Sequence, residues 1–132
     1  MTKNVKSKVV LIVEDSPTQA IHLRTIIEQM GVKVVCASNG HTGLYMAQQM
    51  RPDMVILDVQ MPEINGFEVC KILKSSPETA NIPIILFTVN DSKEAIQLGM
   101  EYGVIDYIPK DAFSDAVLIE TLRQMGFVNH GN

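Results

Sequence analysis

Clustered basic residues are missing from this chain, and with them the usual means of holding a nucleic-acid duplex. Lysine and arginine number 11 against 15 aspartates and glutamates, for a formal net charge of -4 and a pI near 5.3. Neutralising duplex phosphates takes grouped Lys and Arg, so no direct nucleic-acid partner is expected. Cysteine is scarce as well: Cys36 lies in an apolar stretch and Cys70 in a helical pattern. Neither belongs to a CxxC pair and no histidine stands at ligand spacing, which removes the residues that a zinc site or a disulfide framework needs. Buried thiols in a reducing compartment are the expectation. Long apolar runs are also lacking: Val9 to Val13 is too short for a signal-peptide core and runs straight into Glu14. A cytoplasmic protein without membrane insertion is expected. A Gly- and hydroxyl-rich phosphate loop after the first apolar run is absent too, which argues against flavin binding.

What the chain does have is enough apolar substance for one core. With 132 residues, 46% of them hydrophobic and 20% charged, it fits a single domain and leaves no room for a second. Five short apolar runs, Val9 to Val13, Val32 to Ala37, Met54 to Leu57, Ile82 to Phe87 and Ile105 to Pro109, are rich in β-branched residues. Several lack polar alternation, as strands buried on both faces do. Between them, helical spacing groups Ala20, Leu23, Ile27 and Met30, then Leu44, Ala47 and Met50, then Val69, Ile72 and Leu73, then Ala95, Leu98 and Tyr102, and last Ile119 and Leu122. Ser16-Pro17 supplies an N-cap and a first-turn proline, and Gly31, Gly103 and Gly126 stand where helices should end. No repeat, linker or low-complexity tract interrupts this alternation. It predicts an α/β, doubly wound sheet of five parallel strands with five helices on its two faces. Pro109 has no amide hydrogen to give a second neighbour, which places the fifth strand at an edge.

Ligands of such sheets bind beyond the carboxyl ends of the strands where strand order reverses, here between the first and third. Those two strands end in Glu14-Asp15 and in Asp58, and the fifth ends in Lys110. Each residue has an ordinary explanation of its own. Glu14-Asp15 can serve a helix N-terminus, Asp58 can open a turn shaped by Pro62 and Gly66, Thr88 can bond to backbone, and Lys110 can be a solvated surface lysine. Together they read differently. Three carboxylates at one edge repel one another unless a cation joins them, which points to a divalent metal. Magnesium suits an all-oxygen site with few carboxylates.

Four segments carry a resemblance: Val9-Val10-Leu11-Ile12-Val13-Glu14-Asp15-Ser16, Leu57-Asp58-Val59-Gln60-Met61-Pro62-Glu63-Ile64-Asn65-Gly66, Pro83-Ile84-Ile85-Leu86-Phe87-Thr88, and Asp106-Tyr107-Ile108-Pro109-Lys110. In that order they resemble a response-regulator receiver domain, of the stand-alone kind used in chemotaxis and related pathways. The likeness runs from Lys8 to Gly126, so residues 8–126 are expected to form the receiver, with a flexible tail at 1–7 and another at 127–132. It implies a flavodoxin-like receiver fold with strand order 2-1-3-4-5. It implies further that Asp58 accepts a phosphoryl group from a histidine kinase or phosphotransfer protein, with Glu14, Asp15, Asp58 and the Gln60 backbone carbonyl arranging Mg2+, and with Lys110 and the Thr88 hydroxyl neutralising the transferring oxygens. Thr88 and Tyr107 resemble the family's switch pair, which would reshape the face built from the fourth helix, fifth strand and fifth helix, Ser92 to Gln124, for a downstream protein target. A phosphorylation-dependent dimer is left open.

Three residues depart from the family pattern. Glu14 stands where aspartate is commoner, and its longer side chain still reaches a metal. Val89 follows Thr88 where the family prefers a small residue, which bears on access to Asp58 and on rate. Asp111 follows Lys110 where proline is usual; a cis bond before a non-proline residue costs about 3 to 4 kcal/mol, which leaves a trans bond open. Gln60 and Asn90 occupy the two positions that in this family influence phosphoaspartate hydrolysis. The preferred reading is a signalling module without metabolic turnover, whose output is a protein contact because no output segment follows Gly126. Two alternatives stand beside it: a receiver-like scaffold that binds partners without phosphorylation, to which Val89 and Asp111 lend some support, and an aspartate-nucleophile phosphatase. The phosphatase would want a second acid where Gln60 stands.

Overall fold

The computed structural model describes residues 8–127. Ten elements alternate along the chain: β1 (Val9–Val13), α1 (Pro17–Glu28), β2 (Lys33–Ala37), α2 (Gly40–Met50), β3 (Met54–Leu57), α3 (Gly66–Lys74), β4 (Ile84–Thr88), α4 (Lys93–Glu101), β5 (Asp106–Pro109) and α5 (Ser114–Gln124). All strand pairs are parallel and the sheet order is β2-β1-β3-β4-β5. The reversal of order falls between β1 and β3, and β5, with Pro109 paired to Thr88, is an edge strand.

Strand alternation divides the core into two layers. Val10, Ile12, Met54, Ile56, Ile85 and Phe87 face α1 and α5, where Leu23, Ile27, Leu118 and Leu122 meet them. Leu11, Val13, Val55, Leu57, Ile84 and Leu86 face the other way, onto Leu44, Ala47, Val69, Leu73 and Ala95 of α2, α3 and α4. Because the central strands are covered on both sides, they read as unbroken apolar runs.

Capping follows the residues. The Ser16 hydroxyl accepts from the Gln19 amide, with Pro17 in the first turn of α1, and Asn65 with Glu68 closes a reciprocal capping box at α3. Gly31, Gly103 and Gly126 take φ of 82°, 84° and 89° after α1, α4 and α5, a region in which a Cβ is strained. Where α2 ends, Arg51 takes this conformation without glycine, at φ 47°.

Several boundaries differ from the sequence reading. Ile82 is buried but bonds to Thr79 in the turn before β4, and the strand continues instead to Thr88. Ile105 lies outside β5 and is 42% exposed. Met50, Ile72 and Leu98 fall at the margins of their helical stripes and are exposed. In α5 the buried stripe is Ser114, Leu118 and Leu122, one residue every four, and Ile119 lies beside it. Phe127, assigned to the C-terminal tail, is buried in the α1/α5 layer with the Lys8 ammonium 5.4 Å from its ring. The rest of both expected tails lies outside the described residues. No described helix is long and apolar enough to cross a membrane.

Candidate functional site at the carboxyl edge of the sheet

The site is built from the ends of four strands. Past β1, the Glu14 amide still donates to Ala37 O (3.0 Å), which carries the sheet pairing one residue further and holds Glu14 at the edge. Its side chain is only 3% exposed, and Oε2 accepts from the Ser16 amide at 3.1 Å. Asp15, next along, is exposed. From β3, the Asp58 amide donates to Val13 O at 3.1 Å, so the two carboxylate-bearing ends are tied to each other. Asp58 Oδ1 accepts from the Gln60 amide at 3.1 Å, a turn of the kind aspartate makes with its own backbone.

The loop after Asp58 folds back tightly. The Gly66 amide donates to Val59 O at 2.9 Å; a Cβ at Gly66 would stand 2.4 Å from Asp58 O and 2.8 Å from Val59 Cα. Only glycine fits under Asp58, and Asn65 then caps α3 directly behind it. Thr88 ends β4 fully buried. Its carbonyl accepts from the Lys110 amide at 2.7 Å.

Lys110 leaves β5 and reaches back over the sheet, its ammonium 5.6 Å from the centre of the Phe87 ring. Nζ donates to Glu14 Oε1 at 2.9 Å and to Asp58 Oδ2 at 3.3 Å, and also to Gln19 Oε1. One cation from the last strand thus joins the acids of the first and third. Burial pushes the Glu14 carboxyl above its ordinary range; Lys110 and the Ser16 amide pull it back down, and the charge of Asp58 adds to the rise.

Glu14, Asp15 and Asp58 each offer a carboxylate oxygen within 4.8 Å of the others. An all-oxygen set of this size, with one exposed member, fits a magnesium ion that keeps part of its water shell. No histidine or cysteine enters the cluster, so a zinc-type donor set is not present among the described residues.

Tyr107 stands on β5 in register with Leu86. Tyr107 is buried, and its hydroxyl donates to Asn90 O at 2.7 Å. The ring rests on Gly99 of α4, where a Cβ would lie 2.9 Å from the ring. Burial, and then the charges of Asp58 and Asp91, push its hydroxyl pKa up.

Val89 and Asp111 take positions with evident causes. Val89 is 57% exposed on the wall of a cavity of about 510 Å³ that also borders Gln19, His22, Lys110 and Ser114. No described peptide bond is cis, the Lys110–Asp111 bond included. Asp111 starts α5: its Oδ1 accepts from the Phe113 amide at 2.8 Å and its carbonyl from the Ser114 hydroxyl at 3.0 Å. This replaces the side-chain cap that Phe113 cannot give.

Of the residues singled out in the sequence, Glu14, Asp15, Asp58 and Lys110 meet at one edge, whereas the Thr88 hydroxyl accepts from the Asn90 amide at 3.5 Å and the Tyr107 hydroxyl bonds Asn90 O. Gln19 escaped notice, although a signal was present. Ser16-x-x-Gln19 has capping-box spacing, in which the glutamine would bond the Ser16 amide. Glu14 already occupies that amide, so the Gln19 side chain turns to Lys110. Gly99 and the Asn90 carbonyl, which seat Tyr107, had no sequence signal.

Comparison with known proteins agrees. A family model described as the response regulator receiver domain matches residues 10–123. The chain is similar to Protein PilH of Pseudomonas aeruginosa, 37% identical over 109 residues that make up 83% of this chain and 90% of that protein. It is also similar to the polar-differentiation response regulator DivK of Brucella anthropi, 36% identical over 119 residues, 88% of this chain and 94% of that one. Of the longer transcriptional regulatory protein AfsQ1 of Streptomyces coelicolor, 35% identical over 100 residues, the chain spans 43%. The solved structure of chemotaxis protein CheY4 from Vibrio cholerae superposes with a TM-score of 0.82 at 30% identity, over 90% of this chain and 98% of that one. The order of the five strands, the acidic edge with its lysine and the match over most of the length identify the chain as a member of the response regulator receiver domain family of two-component systems.

Proposed function

We propose that Asp58 accepts a phosphoryl group from a histidine kinase or phosphotransfer protein and that the resulting charge controls a protein contact. The observation that carries this reading is the Lys110 ammonium, held 2.9 Å from Glu14 and 3.3 Å from Asp58 across the strand ends. A structural ion pair needs one carboxylate; a second, on a different strand, leaves negative charge to spare for a metal cation, which together with Lys110 would offset the charge of a phosphoryl group.

An aspartate carboxylate is anionic at neutral pH, so its oxygen attacks phosphorus without a general base. A new P–O bond forms as the P–N bond of a phosphohistidine breaks, and the imidazole leaves with the electron pair and takes up a proton. The work left to the protein is in-line positioning and charge neutralisation. The Gln60 amide pins Oδ1 of Asp58, and Lys110 bonds Oδ2. Glu14, Asp15, Asp58 and the Gln60 carbonyl would hold Mg2+, whose chemistry when bound is to neutralise the oxygens of the transferring group. Thr88, at the end of β4, supplies a hydroxyl for the same oxygens.

The Thr88–Tyr107 pair is the proposed switch. Movement of the Thr88 hydroxyl toward the phosphoryl group shifts the β4–α4 segment, to which Tyr107 is tied through Asn90 O. Along Ser92 to Gln124 the surface exposes Leu98, Met100 and Val117, apolar area that a downstream protein could cover. A partner that prefers the phosphorylated form would stabilise it reciprocally. The scaffold alternative gains little: Val89 sits on a cavity wall and Asp111 is engaged in starting α5.

The test is incubation with Mg2+ and acetyl phosphate, followed by mass mapping of acid-stable, base-labile phosphate. Label on Asp58 is expected, with none on Asp58→Asn. Wild-type protein that never takes up phosphate would rule the reading out.

A further inference from the structure

We infer that Gln19 is a positioning residue for Lys110: an exchangeable acceptor that holds the ammonium until a phosphoryl oxygen takes its place. This inference rests on the proposed phosphoryl transfer for its purpose, though the bond itself does not.

The argument begins with donor arithmetic. A lysine ammonium has three hydrogens, and Lys110 gives them to Glu14, Asp58 and Gln19. No hydrogen is left for a substrate. A phosphoryl oxygen must displace one of the three. Glu14 is a poor candidate, because its carboxylate is 3% exposed and 2.9 Å from the ammonium, so letting go would leave a buried charge without its cation. Asp58 is the atom to be modified. Gln19 is neutral and lies on the exposed first turn of α1, so its release leaves no buried charge and water replaces the lost bond.

The position of Gln19 is fixed by its neighbours. Its backbone amide is committed to Ser16 Oγ at 3.3 Å. The partner its side chain would take in a capping box, the Ser16 amide, is bonded to Glu14 Oε2 at 3.1 Å. Glu14 therefore does two things at once: one oxygen holds Lys110, and the other directs Gln19 to it. The ammonium sits nearer Glu14 than Asp58, 2.9 against 3.3 Å, drawn toward the α1 side where Gln19 also stands. Gln19 lines the same cavity as Val89, so it swings into open space when it lets go. Its effect is to hold Lys110 ordered while making the resting site a competitor of the phosphorylated one.

Two measurements test this. In the metal-free protein, hydrogen exchange of the Lys110 ammonium is followed by 15N–1H NMR. Gln19→Leu is expected to speed exchange about threefold to tenfold, what one net hydrogen bond is worth, while Gln19→Glu, which keeps an acceptor at that reach, retains protection. Affinity for beryllofluoride with Mg2+, read by tryptophan-free methods such as calorimetry, is expected to tighten by a similar factor in Gln19→Leu. Thr18→Ala, on the same wall of the cavity, is expected to change neither. Unchanged exchange in Gln19→Leu overturns the inference, as does weaker beryllofluoride binding or an equal effect from Thr18→Ala. Wild-type protein that binds no beryllofluoride would sink the phosphoryl-transfer reading, while the exchange measurement still decides whether Gln19 holds Lys110.

Discussion

Replacing Lys110 with methionine removes the cation and keeps an apolar stem over Phe87, so it isolates the charge. Lys110 is 13% exposed and Glu14 3% along their side chains. At 2.9 Å, and with an effective dielectric near 20, the gross attraction is about 6 kcal/mol. Most of that is offset by the cost of taking both groups out of water. Removing one partner of a buried pair typically costs about 3 to 5 kcal/mol; since the site opens onto a cavity, about 3 kcal/mol at pH 7 is the expectation, measured by urea denaturation without metal. The pH dependence carries the sharper test. The folded-state pKa of Glu14 is raised above 4.5, with burial the largest cause and Lys110 opposing it. A raised carboxyl contributes stability that is fully present below the unfolded value and is lost as pH rises through the folded one. Loss of Lys110 raises the folded value further. The variant should therefore regain stability relative to wild type as pH falls toward 4.5, and the gap between the two should be widest at neutral pH. A penalty that stays the same from pH 7 to pH 4.5, or one under about 0.5 kcal/mol at pH 7, typical of an exposed pair, would refute the reasoning.

Gly66→Ala places a Cβ 2.4 Å from a backbone oxygen, and a thermal melt should report a loss of about 3 kcal/mol, the upper range for overpacking. Tyr107→Phe removes the 2.7 Å bond to Asn90 O; about 1 kcal/mol should be lost, with faster amide exchange confined to the β4–α4 segment. Leu118→Ala empties a fully buried position between α5 and the sheet and should cost about 2 to 5 kcal/mol in chemical denaturation. Magnesium titrated into the metal-free protein should raise the melting temperature of wild type and raise that of an Asp15→Asn variant less, since one of the three clustered carboxylates is then gone.

The fold was legible because its strands are buried on both faces and its helices are punctuated by residues with a single physical role. Ser16-Pro17 and the three positive-φ glycines each marked an end that the structure has. Misreadings came where burial and secondary structure part company. Ile82 is apolar because the turn holding it is buried, while Thr88 completes β4 although its side chain is polar. Ile119 and Leu122 fitted a helical period, but period alone does not say which of two adjacent stripes meets the sheet, and Leu118 does. The acidic edge was legible because strand ends converge at the reversal of order. The role of Gln19 was hidden for a different reason: a local pattern promised one bond, and a residue five positions earlier had already taken it.

The bond between Lys110 and Glu14 spans 96 positions of the chain. Its two halves therefore follow directly on the first and the last strand of this sheet. A chain still emerging from the ribosome, or one clipped before β5, carries Glu14, Asp15 and Asp58 without their counter-charge. The counter-charge of the acidic edge is thus in place only once β5 has joined the sheet.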